Sequence, residues 1–155
     1  MKIFVTRFNN DTYKEYLDWR EKNEYTSCIY NSPIRITERL DPDEKIFVLE
    51  MNNSINKIMG IGYLKNHIIM DKKYRIYSDN NYNRYTYKGP RRILRKELSS
   101  EDEKILEIFD ILLFKGGRHM KRGQGIQAIS SWIENNSRFD FVEFLKSLFK
   151  PIINN

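Results

Sequence analysis

KIFVLEMNNSINKIMGIGYL, residues 45–64, is the stretch on which the fold reading turns. Its first part, KIFVLEM at 45–51, is a nearly continuous apolar run, the pattern of a strong buried strand. Asn52, Asn53 and Ser54 then make a turn, because their short polar side chains bond back to nearby backbone. KIMGIGYL at 57–64 follows as a second strand, with Gly60 and Gly62 marking a bulge or a close backbone approach. Glu50, near the end of the first strand, is expected to be paired there.

Working outward, KIFVTRF at the start of the chain alternates and is β-branched, so it reads as an opening strand. Asn9 to Thr12 supply cap-type residues for a helix reaching Asn23, with Tyr13, Tyr16, Leu17 and Arg20 at helical spacing and Trp19 as a packing residue. TSCIYNSPIRIT at 26–37 is a strand interrupted at Asn31, Ser32 and Pro33, since proline cannot donate to a ladder. Asp41, Pro42 and Asp43 form a turn. Residues 72–88 read as two extended, tyrosine-rich strands around a loop at 79–83, and 93–98 as a further short strand. Ser99 or Ser100 caps a helix carrying Glu101, Asp102 and Glu103 at its positive end. Residues 126–133 fit a strand or a short helix, and 139–149 a last helix that Pro151 ends.

The order is strand, helix, about five strands, then helices. It predicts one α+β domain over 1–155: a strongly bent sheet or small barrel at 1–98 and a helical part at 99–155. The chain length suffices for a substantial core. One cysteine, Cys28, excludes an intrachain disulfide and a multi-cysteine zinc site, and its apolar setting predicts an inert buried thiol. Neither a signal peptide nor a membrane span is visible, so an intracellular protein without membrane contact is expected.

The formal charge of +6 is unevenly spread. Residues 72–96 carry nine Lys/Arg against one Asp, and residues 115–122 carry four and no acid, so the remainder is acidic. Two concentrated basic segments on an acidic body are the electrostatic form of a nucleic-acid binder.

One of these segments is FKGGRHMKRGQGI at 114–126, where Lys115, Arg118, His119, Lys121, Arg122 and Gln124 crowd among four glycines. Gly116 and Gly117 are expected to end the preceding helix. The cations after them suit phosphate contacts. No lysine here is followed by Ser or Thr after a Gly-x4-Gly run, so the loop is not a P-loop and nucleotide hydrolysis is not expected. His67 and His119 lack metal-ligand spacing, and no metal or cofactor is expected. No catalytic motif is present, although Cys28 and His119 could meet in space.

The other segment is NYNRYTYK at 81–88, extended by Arg91, Arg92, Arg95 and Lys96. Alternation sets Tyr85 and Tyr87 on one face, and Arg84, Thr86 and Lys88 on a surface face. The tyrosines either turn inward as core, or Tyr82 or Tyr85 is exposed and stacks on nucleobases.

The opening strand and helix, CIYNSPIRI at 28–36 leading into 45–64, and the tyrosine-rich strand at 74–87 together resemble the PUA-like superfamily that includes the EVE and YTH domains. The likeness covers about residues 1–98. The wording LEMNN, NKIMGIG and HMKRGQGI is similar to uncharacterised proteins of large DNA viruses. The resemblance implies a PUA-like barrel with an N-terminal helix, and a partner that is nucleic acid, RNA ahead of DNA. It also implies a base, plain or modified, held in a barrel pocket at Tyr30, Asn31, Ser32 and Pro33, where Tyr30 would stack and Asn31 would bond the base edge. The tryptophans of a methyl-reading cage have no counterpart in that segment. Arg84, Lys88, Arg91, Arg92 and the 115–122 cations would grip the backbone. The alternative is a viral structural or genome-packaging protein, in host cytoplasm or virion, binding DNA or an acidic partner through its basic face.

Overall fold

The computed structural model describes residues 1–154. Its centre is a mixed five-stranded sheet. β1 (Lys2–Phe8) runs parallel to β3 (Lys45–Asn52), which pairs antiparallel with β4 (Lys57–Lys65). β6 (Arg91–Leu94) and the two-residue β7 (Gln127–Ala128) close the edges. β2 (Cys28–Ser32) and β5 (Tyr85–Gly89) form a separate antiparallel ribbon. The architecture is α+β, with no closed barrel among the described residues.

Alternation along β1 and β3 divides the core between the two faces of the sheet. Ile3, Val5, Phe47, Leu49 and Met51 face the helical side, where α2 (Ser100–Phe114) and α4 (Phe141–Leu148) bring Leu106, Phe109, Leu113, Phe141 and Leu145. Phe4, Phe8, Ile46 and Val48 face the ribbon and α1 (Asn10–Lys22), which bring Tyr30, Tyr87, Tyr13 and Tyr16. Each strand is therefore covered twice, which explains its nearly unbroken apolar run.

Both alternatives offered by the glycines of 57–64 are present. The β3–β4 register slips between Leu49 and Met51, leaving Glu50 at a bulge. Gly62 lies where a Cβ would come within 2.5 Å of the Tyr30 hydroxyl, so only glycine lets the ribbon press onto β4.

α1 starts where expected, in a reciprocal capping box: Thr12 N–H donates to Asn9 Oδ1 (2.8 Å) and Asn9 N–H to Thr12 Oγ1 (3.0 Å). Residues 126–133 hold both elements that their pattern fits, β7 and then α3 (Ser131–Glu134). Three expectations need correction. The strand expected at 72–78 is absent, although Tyr74 and Ile76 are buried in alternation. Its backbone partners are side-chain amides instead: Asn83 bonds both Tyr77 N–H and Tyr77 C=O, and Asn31 Nδ2 donates to Tyr74 C=O. The strand expected at 93–98 starts and ends earlier, at β6, and turns into a 3₁₀ segment at Arg95–Glu97. Pro151 does not stop the last helix. α4 has already ended, and Pro151 sits in the first turn of α5 (Lys150–Ile153), where its missing N–H costs nothing.

Candidate functional site

A cleft of about 340 Å³ opens where β1 runs into α1. One side is made by Thr6, Arg7, Phe8, Asn9 and Thr12. Asn31 and Pro33 contribute from the end of β2, and Asn53 from the β3–β4 turn. Tyr77 and Tyr82 stand across from Lys121, Gly123, Gln124 and Gly125 of the basic loop. The cleft thus brings together the end of the ribbon and the second half of FKGGRHMKRGQGI.

Its electrostatics follow from that list. Two cations line it, Arg7 and Lys121, and no carboxylate does. The first turn of α1 adds the partial positive charge of a helix start, with Asn9 and Thr12 at the wall. Arg7 Nε donates to the Met120 carbonyl at 2.6 Å, fastening the basic loop to β1. Nη1 of the same guanidinium is buried without an acceptor among the protein atoms. Burial lowers the Arg7 pKa from its ordinary value, because water is lost and no counter-charge replaces it. Asn53 Nδ2 donates to the Lys121 carbonyl (2.8 Å), while its Oδ1 is buried without a donor. These are the two buried side-chain atoms lacking a partner among the described residues, and both belong to cleft residues.

The tyrosine rim is built by local chemistry. The Asp79 side chain accepts from Asn81 N–H (3.0 Å) and opens the 3₁₀ turn Asn80–Asn83. Asn83 folds back on Tyr77, and the Tyr77 and Tyr82 rings meet edge to face at 6.2 Å. Tyr82 is 40% exposed. Asn31 is held by three bonds: its amide donates to Tyr74 C=O and Asn83 Oδ1, and its oxygen accepts from Thr86 Oγ1.

The residues singled out from the sequence are not all gathered here. Asn31, Pro33, Tyr82, Lys121 and Gln124 line the cleft. Tyr30 does not: it is 1% exposed, packs on Tyr16 at 5.9 Å, and its hydroxyl donates to Glu50. Ser32 is buried, with its Oγ on the Ile34 carbonyl (2.6 Å).

Arg92 is not a surface cation. It is buried with Glu50 in a two-pronged pair, Nε to Oε2 and Nη2 to Oε1, both 2.6 Å. Glu50 is accordingly a fully buried mid-strand group and not a strand-end one. Thr86, expected on a surface face, is buried by its bond to Asn31. Arg95 is held by Glu103 and Asp110.

Lys88 lies in another groove with Lys45 and Lys65, its ammonium against the Tyr74 hydroxyl. Arg84 lies over the half-buried Tyr85 ring (5.9 Å), and Arg91 is exposed near Glu97. Arg118 covers Trp132 (5.5 Å). His119 Nδ1 accepts from Lys121 N–H (3.2 Å), so it shapes the loop. Lys115 and Arg122 are exposed outside the cleft, and Gly116, at φ +75°, follows the end of α2 as expected.

Arg7, Asn53 and Tyr77 were not foreseen. Arg7 did carry a signal: past the first residue, Lys2, it is the one cation of the apolar opening strand, at a position the strand pattern would otherwise bury. Cys28 is fully buried in the ribbon, and burial together with the Glu50 charge pushes its thiol up to about 12. No helix among the described residues is long and apolar enough to cross a membrane. No protein-family model, curated protein or solved structure matches the chain.

Proposed function

We propose that this protein is a nucleic-acid-binding module, PUA-like in kind, that takes a nucleotide of single-stranded RNA into the cleft between β1 and the 121–125 loop. The observation that carries the reading is the make-up of that cleft: two cations, a helix start, a tyrosine rim and no carboxylate. Each part has a counterpart in a nucleotide. Arg7 and Lys121 bring positive charge to a phosphate. Tyr82 offers a partly exposed ring for stacking. Gln124, exposed at the wall, can bond a base edge. The PUA-like part of the reading rests on the resemblance in the sequence, and the sheet does not close into a barrel among the described residues. The preference for RNA rests on the resemblance in the sequence.

The test is fluorescence anisotropy with a labelled single-stranded RNA at increasing salt. Affinity should fall steeply as counterions compete for the phosphates. Tyr82→Ala should cost about 1–3 kcal/mol of binding, the range for one base–aromatic stack. Affinity that stays flat with salt would sink the proposal. Length-dependent binding to duplex DNA, indifferent to Tyr82→Ala and Lys121→Ala, would point to genome packaging instead.

A further inference from the structure

A second groove, of about 530 Å³, adjoins the cleft. The two share a saddle: Pro33 and Gly125 face the cleft, while the next residues, Ile34 and Ile126, face the groove. Resting on the nucleotide reading of the cleft, we infer that the bound strand continues over this saddle into the second groove, along Lys2, Arg35 and Arg39, so that the ligand is a single-stranded oligonucleotide.

The groove repeats the charge pattern of the cleft. Lys2, Arg35 and Arg39 line it, no carboxylate does, and none of the three is in an ion pair among the described residues. Glu38, in the same loop, is exposed and is not a groove residue. Arg35 and Arg84 both lie over the ring of Tyr85, at 5.2 and 5.9 Å, which adds a further exposed cation beside the path. Cations without local counter-charges, lining a groove that adjoins a nucleotide-sized cleft, match a phosphodiester backbone.

The saddle itself is fixed. Ser32 Oγ donates to the Ile34 carbonyl at 2.6 Å, and Gly125 (φ +71°) comes so near that a Cβ there would lie 2.5 Å from Ser32 Oγ. Ile34 is 41% exposed at its crest, an apolar surface over which bases can turn. A flexible single strand can cross such a ridge. A duplex, with its persistence length of about 150 base pairs, cannot dip into both depressions. The lysine groove at Lys45, Lys65 and Lys88 is no continuation of the cleft: none of its residues neighbours a cleft residue in the chain, and it lies at the other end of β3, roughly 25 Å away at strand rise.

Anisotropy with single-stranded RNA from a dinucleotide to about ten nucleotides tests the path, within the usual footprint of such modules. Wild-type affinity should rise with length before levelling. Arg35→Ala/Arg39→Ala should keep dinucleotide affinity, lose about tenfold on the longer strands, and show a salt slope shallower by about 1.4, or about 0.7 for each phosphate contact. Arg35→Glu/Arg39→Glu should lose more. A double variant that matches wild type in affinity and slope on long strands overturns the path, as does wild-type affinity that stops rising at the dinucleotide. Both of those outcomes leave the cleft reading standing. A wild-type protein that binds neither short nor long strands removes the cleft reading itself.

Discussion

Arg92 is taken out of water and Arg7 partly so, and the protein treats them in opposite ways. Arg92 meets both oxygens of Glu50, donates to the Tyr13 hydroxyl (2.9 Å) and lies over the Tyr16 ring (5.3 Å). Burial alone would lower its pKa, but the Glu50 charge and hydrogen bonds outweigh that and raise it. Arg7 has one carbonyl for Nε, no carboxylate, and a buried Nη1 without an acceptor. A desolvated cation that is fully answered belongs to the fold. One left partly unanswered, beside an open cleft, is the one we propose for an anionic ligand.

The largest expected effect is at the answered end. Glu50→Gln leaves the Arg92 guanidinium buried without a counter-charge and should cost about 3–5 kcal/mol of stability in denaturant unfolding. The double change Glu50→Leu/Arg92→Met removes both charges and should recover most of that loss, as apolar replacement of buried pairs does. A Glu50→Gln protein as stable as wild type would mean that the pair is not desolvated, and the contrast with Arg7 would lapse.

Arg7→Met should reverse the pattern. Stability should stay within about 1 kcal/mol of wild type, since one hydrogen bond to Met120 is lost while the desolvation of an unpaired charge is relieved. RNA affinity should drop by about 1.5–3 kcal/mol, the worth of a hydrogen bond to a charged group. Unfolding and anisotropy on the same preparation separate the two. Loss of stability with affinity intact would make Arg7 another structural arginine.

Why the sequence shows one of these ends better than the other is a matter of range. Strands β1, β3 and β4 and helices α1 and α2 were legible because periodicity and caps are local, and the elements run close to their expected bounds. Tyr30 read as a base platform from the resemblance, and alternation offered no check, since it says nothing about which sheet an aromatic will meet. The bulge at Glu50, with Arg92 forty-two residues later, turns the Tyr30 hydroxyl inward. The strand missing at 72–78 shows the same limit: apolar alternation is present, but the hydrogen-bond partners are the amides of Asn31 and Asn83. The basic loop was visible as composition. Its partner Arg7 lies 113 residues away, a separation no local pattern spans. Half of the cleft was therefore readable from motif, and the half that gives it an unsatisfied cation was not.

The smallest effect expected is a reactivity contrast that leaves stability at neutral pH unchanged. Cys28 lies at the closed end, fully buried beside Tyr30, with its thiol raised to about 12 by burial first and the Glu50 charge second. The folded protein holds this proton more tightly than the unfolded chain, whose thiol titrates near 9. Cys28 therefore contributes no pH dependence below about 9, and its share of stability is lost as pH rises from about 9 towards 12, with the buried tyrosines adding in the same sense. At pH 8 an aromatic disulfide reagent should react with native Cys28 only as fast as the protein unfolds, whereas a thiol set into the cleft by Gln124→Cys in a Cys28→Ala background should react at once and be shielded by bound RNA. Prompt reaction of native Cys28 would show that the closed end breathes. A cleft thiol that RNA does not shield would place the nucleotide elsewhere, and Arg7 would then need another anion to explain its unpaired nitrogen.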